Sequence, residues 1–263
     1  MRGWWFWAVA AALFLLWPDE MDAGGLLVEI GWILGAALVA TPVLVYCAIL
    51  KNLPEDPPVT PVGLHEVPPE VDDIVREYED LGFERAGPPL RVGLPNPAVL
   101  VPLLHATEGM LATAYRLDAK PSPKLGYDVI HILDAPESGL TTCMDHSAGV
   151  LPAPRGGLRQ IFPRATPSEL VDRHRAALRF VESRRLGRMH AAPSAVAHLI
   201  KRSFALQRRA FLDSPVAGTF TALWRVITKR NPHLGALADQ AGIEERLQSI
   251  PRAPSRRRAA ASV

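Results

Sequence analysis

Apolar residues fill Trp4 to Trp17 without a break, and Ile30 to Leu50 carries no charged side chain. Beyond residue 69 apolar and polar positions alternate with helical or strand periods. A bilayer core of about 30 Å needs ~20 helical residues, and Ile30 to Leu50 supplies 21. The first run has 14 residues, enough for only ~21 Å of helix, so it spans only with a thinned bilayer or with Trp4, Trp5 and Trp17 at the interfaces. A signal peptide competes with that reading, because Arg2 precedes the apolar stretch. The residues after Trp17 are Pro18, Asp19, Glu20 and Met21, which offer no small-residue cleavage site. The pattern favours a transmembrane helical hairpin over residues 1–50, ahead of a single span with an uncleaved or cleaved signal.

Arg2 and Lys51 flank the hairpin and its connection holds only acids, so the positive-inside rule puts both ends in the cytoplasm. Glu29 lies one turn from the acidic connection and reads as an interfacial group rather than an ion site. Gly31, Gly35, Ala36, Ala37 and Ala40 form a small-residue stripe through which the helix could self-associate.

Six prolines between Pro54 and Pro69 make residues 51–69 an extended linker. Pro69 suits the opening position of a helix whose first turn holds Glu70, Asp72 and Asp73. Val71, Ile74, Val75, Tyr78 and Leu81 share one face, and Gly82 ends it. From Phe83 to His146, β-branched and aromatic clusters separated by Pro, Gly and Asn predict strands near 83–93, 98–106, 111–118, 127–134 and 139–146. Their short connections require antiparallel pairing, giving a meander with one face covered by helix. A Pro and Gly stretch follows. Thr166-Pro167-Ser168-Glu169 is then a capping box opening a helix to about Arg188, with Leu170, His174, Ala177, Leu178 and Val181 toward the sheet. Further helices are predicted over 194–212, 219–229 and 234–247, and the last residues read as a disordered basic tail. The fold class is α+β, with an anchor at 1–50, a linker at 51–69, an antiparallel sheet domain at 70–190, a helical region at 191–250 and a tail at 251–263.

The net charge of +2 hides a strong asymmetry: residues 1–50 sum to −3, 51–154 to −9 and 155–263 to +14. Lys201, Arg202, Arg208, Arg209, Lys229 and Arg230 on the C-terminal helices are candidate contacts for anionic lipid headgroups. Phe220, Leu223, Trp224, Val226 and Ile227 next to Lys229 and Arg230 have the pattern of an interfacial helix, or of a core helix. Nucleic acid is not expected, since no helix-turn-helix, RNA-binding or zinc-finger signature is present. Cys47 and Cys143 are the two cysteines, so neither a disulfide framework nor a structural zinc site is expected. No Gly-rich phosphate loop or G-x-S-x-G elbow occurs, and no cofactor is implied.

Titratable groups concentrate in the sheet region. Cys143 and His131 would be a thiolate dyad if they met. A turn closed by Asp134 and Gly139 instead sets His131 opposite Thr142 and Ile130 opposite Cys143, which sends Cys143 and His131 to opposite faces. His131 with Thr142 could line a pocket, and His105 with Glu108 could form a polar pair. The resulting expectation is a membrane-anchored binding or scaffolding module at a bacterial inner membrane, its domain cytoplasmic, and not an enzyme. The bacterial source rests on abundant Ala, Arg and Pro. Two alternatives are an enzyme with its site near His131 and His105, and a lipid-surface sensor using the basic helices.

Overall fold

The computed structural model describes residues 23–119, 121–133, 139–145, 151, 153–154, 156–184, 188–189 and 196–250. The first apolar run, the acidic connection through Asp22 and the basic tail lie outside them. The helices are α1 (Ala23–Asn52), α2 (Pro69–Asp80), α3 (Pro167–Ser183), α4 (Val196–Leu212), α5 (Pro215–Thr228) and α6 (Ile243–Ser249). The strands are β1 (Val59–Pro61), β2 (Glu84–Arg85), β3 (Leu90–Val92), β4 (Ala98–His105), β5 (Met110–Leu117), β6 (Lys124–Leu133), β7 (Gly139–Cys143), β8 (Gly157–Ile161) and β9 (Arg188–Met189). The described residues divide between Val45 and Tyr46 into two units.

In the first unit, α1 has no apolar stripe, and Trp32, Val43 and Leu44 are exposed. Among the described residues no helix is long and apolar enough to cross a membrane. The transmembrane hairpin is therefore not part of what the fold supports. Pro42 lies within α1 and removes a backbone donor from it.

The second unit is α+β, as expected. Its nine-stranded sheet runs β1-β3-β4-β5-β6-β7-β8, with β2 also on β4 and β9 also on β6. The expected strand over 83–93 is two short strands on β4, β2 and β3, broken where Pro88 and Pro89 deprive the ladder of donors. Two strands lie in segments expected to be irregular. β1 sits inside the proline-rich linker as an edge strand on β3, where a proline costs no ladder bond. β8 pairs parallel with β7 after a connection long enough for a crossover.

Both sheet faces are covered, where one was expected. On the first face, Val101, Leu103, Ala112, Val129, Leu140 and Leu158 pack beneath α2 and α3, which contribute Val71, Ile74, Tyr78, Leu170, Leu178 and Val181. On the second, Leu90, Val92, Leu100 and Leu111 meet Val196, Ile200 and Phe204 of α4. The capping box is formed: Glu169 N donates to Thr166 Oγ1 at 3.3 Å and Thr166 N to Glu169 Oε2 at 2.9 Å. The helix expected over 234–247 is instead a 3₁₀ turn at Leu237–Asp239 and the short α6, separated by Gly242 at positive φ. α5 begins at Pro215, four residues earlier than the apolar pattern suggested, because Pro215 is a favourable first helical residue.

Candidate functional site

Three places gather chemistry: a buried cluster on the first face of the sheet, a polar network at the β4–β5 turn, and a cavity on the second face.

The β6–β7 register pairs Asp128 with Cys143 and His131 with Leu140. That is two residues from the expected pairing, and with a side-chain period of two the faces are unchanged. His131 shares the first face with Thr142, while Cys143 points to the second, so the thiolate dyad does not form. Burial chiefly pushes the Cys143 thiol up to about 12, and its Sγ lies 3.9 Å from the Gln160 carbonyl. It packs as a small apolar side chain.

His131 and Thr142 line no open pocket. Both are buried, with His131 1 % exposed beneath α3 and its ring centroid 6.2 Å from that of His174. Gln160 organises this cluster. Its Nε2 donates to Thr142 Oγ1 at 2.7 Å and to the Arg173 carbonyl at 3.0 Å, while its Oε1 accepts from Leu237 N at 3.1 Å. Thr142 Oγ1, which accepts from Gln160, also lies 2.9 Å from His174 Nδ1, as donor or second acceptor according to the His174 tautomer. One glutamine thus ties β8, β7, α3 and the turn at Leu237.

His105 does pair with Glu108, at 3.5 Å. Glu108 is held more tightly by Arg175 of α3, whose Nη2 and Nε donate to it at 2.6 and 3.0 Å. The His105 ring stands edge-on to Phe83 at 5.1 Å. This network clamps the β4–β5 turn to α3.

The cavity lies between the second face and α4 and encloses about 190 Å³. Its walls are apolar, with Leu111 and Ile130 from the sheet and Leu199, Ile200 and Leu206 from the helix. Arg159, Arg202, Gln207 and Thr113 bring polar groups to it. Arg159 Nη2 donates to Gln207 Oε1 at 3.4 Å, and Thr113 Oγ1 donates to Asp128 Oδ1 at 2.5 Å. Burial pushes the Asp128 carboxyl up to about 6, while Thr113 and Arg159 pull it down. Burial also lowers the Arg159 guanidinium, against the fields of Cys143, Asp128, Tyr115 and Asp145.

The six candidate lipid contacts sit in different surroundings. Lys201 Nζ is 2.8 Å from Asp56 Oδ1. Arg208 Nη1 donates to the Leu53 carbonyl at 2.7 Å and to the Leu50 carbonyl at 3.3 Å, capping the end of α1. Arg202 lines the cavity, and Arg209, Lys229 and Arg230 are exposed. Sequence reasoning missed Arg159, Gln160 and Asp128. The five residues of β8 follow a Pro and Gly stretch and lack a clean alternation. Asp128 reads as a solvated strand residue until α4 covers its face. The chain matches no family model, no curated protein and no solved structure.

Proposed function

We propose that this chain is a membrane-anchored binding module, and that its ligand enters the cavity between the sheet and α4 with an apolar segment inside and an anionic group at the rim. The cavity carries the reading. At about 190 Å³ it is on the scale of the apolar cavities of ~150 Å³ that take up benzene, so it holds a ring or a short alkyl segment. The guanidiniums of Arg159 and Arg202 favour an anion beside that segment. The other face, where His131 is buried, is packed beneath α3, which favours the cavity over the histidine cluster as the place for a ligand. Support for the anchor comes from the uncharged run from Ile30 to Leu50 and the exposed Trp32 and Leu44, which call for an apolar surrounding. The domain then belongs on the side of Lys51, the cytoplasmic side by the positive-inside rule.

Octanoate, one short alkyl chain with one carboxylate, tests the site. At tenfold its dissociation constant a ligand of the folded state adds about 1.4 kcal/mol, so it raises the thermal midpoint of the full chain in mild detergent by roughly 3–6 °C. Octanol raises it less. Ile200→Trp, which fills the slot, abolishes the shift, and Arg202→Glu weakens it. Equal shifts in wild type and Ile200→Trp overturn the proposal.

A further inference from the structure

We infer that α5 lies along an anionic lipid surface, beside the point where α1 leaves the membrane. The inference rests on the anchored reading for its geometry, and on the exposed side chains of α5 for its chemistry. Val216, Phe220, Trp224 and Ile227 recur at spacings of four, four and three, so they share one helix face. They are 69, 54, 61 and 66 % exposed. The opposite side, Gly218, Thr219 and Ala222, is buried. The core-helix reading of Trp224 is therefore wrong, because α5 turns its small residues inward and its large apolar ones outward. A face of this kind needs an occupant.

Three observations identify it. First, Gly218 packs on Phe211 so closely that an added Cβ would meet the ring at 2.9 Å. Phe211 in turn lies 5.7 Å, ring to ring, from Tyr46 in the last turns of α1. The buried side of α5 thus reaches, through Phe211, the segment where the apolar run ends, and Arg208 fixes that segment through Leu50 and Leu53. Second, α5 contains no acidic residue, and the exposed Lys229 and Arg230 follow its last turn. An apolar face with cations at its border suits anionic headgroups over acyl chains. Third, the exposed indole of Trp224 on this face is the side chain that favours the boundary between hydrocarbon and headgroups. A second copy of the chain would also cover apolar surface, but paired in parallel it would bring Lys229 and Arg230 against their own kind, whereas anionic headgroups meet them directly.

The test uses the full chain in vesicles of phosphatidylcholine with phosphatidylglycerol. An environment-sensitive fluorophore sits on Val216→Cys in a Cys47→Ser background, since Cys143 is buried. The expected result is quenching by lipids brominated near the headgroup, with shielding from aqueous iodide. Phe220→Asp with Ile227→Asp reverses both. Lys229→Gln with Arg230→Gln, in chain added to preformed vesicles, lowers association by roughly fivefold per cation. Alkaline carbonate extraction separates the two readings. Chain that resists extraction while its label is quenched only by iodide overturns the α5 inference and keeps the anchor. Chain that is extracted, yet still floats with anionic vesicles in an α5-dependent way, overturns the anchor and keeps α5 on lipid. Lipid-independent shielding that grows with protein concentration assigns the face to a second copy and overturns the inference.

Discussion

Gln160 joins β8 to β7, α3 and the turn at Leu237, and its replacement by methionine isolates the hydrogen bonds from the packing. Methionine has nearly the same length and volume, so little cavity is left. What disappears is one acceptor and two donors inside a site that is 1 % exposed. The Leu237 amide loses its side-chain acceptor in a buried place, at a cost of ~1–3 kcal/mol, and the bonds to Thr142 and the Arg173 carbonyl contribute about 1 kcal/mol each. Thr142 keeps His174 as a partner, which limits the loss. The expected destabilisation is about 3 kcal/mol, or a fall of roughly 6–12 °C in the thermal midpoint of a domain this size. Circular dichroism of the full chain in mild detergent reads it. Because β8 also carries Arg159, octanoate binding should weaken in the same variant. A destabilisation under ~1 kcal/mol would refute the view that this glutamine pins the strand to α3.

Thr166→Ala removes one half of the capping box and should cost about 1 kcal/mol by urea unfolding. Gly126→Ala would place a Cβ 2.5 Å from the Tyr115 ring and should cost about 2 kcal/mol, recovered in part by adding Tyr115→Leu. The raised Asp128 carboxyl, at about 6 against ~3.9 unfolded, makes the folded state bind its proton more tightly. Its contribution is present at acid pH and declines as pH rises from ~4 through about 6, and Asp128→Asn, which keeps the Thr113 bond, should flatten that decline in urea midpoints. His233 behaves oppositely: burial, then the guanidiniums of Arg159, Arg246 and Arg225, hold it at about 4. It contributes stability above ~6.5 that is lost as pH falls through about 4. Its imidazole C2 proton should titrate near 4 by NMR, and a midpoint near ~6.5 would contradict its burial.

Local chemistry was legible wherever a segment's own residues decide its conformation. Pro69 with its acidic first turn, the capping box at Thr166, and the alternating runs of β4 to β7 each specify an element through bonds made within a few residues. The opposition of Cys143 and His131 was legible for the same reason, because a period of two preserves faces even when the register moves by two. Tertiary context decided the rest. β1 and β8 are strands because neighbours offer them a ladder, although Pro61 and the glycines before Leu158 argue against it locally. Two apolar faces of the sheet look alike in sequence, so only the packing of α3 against one and α4 against the other shows which is filled and which holds the cavity. For α5, sequence supplied an apolar face and basic residues after its last turn. Which side points outward was decided by Gly218 closing on Phe211, since a helix buries the side that lets its backbone approach.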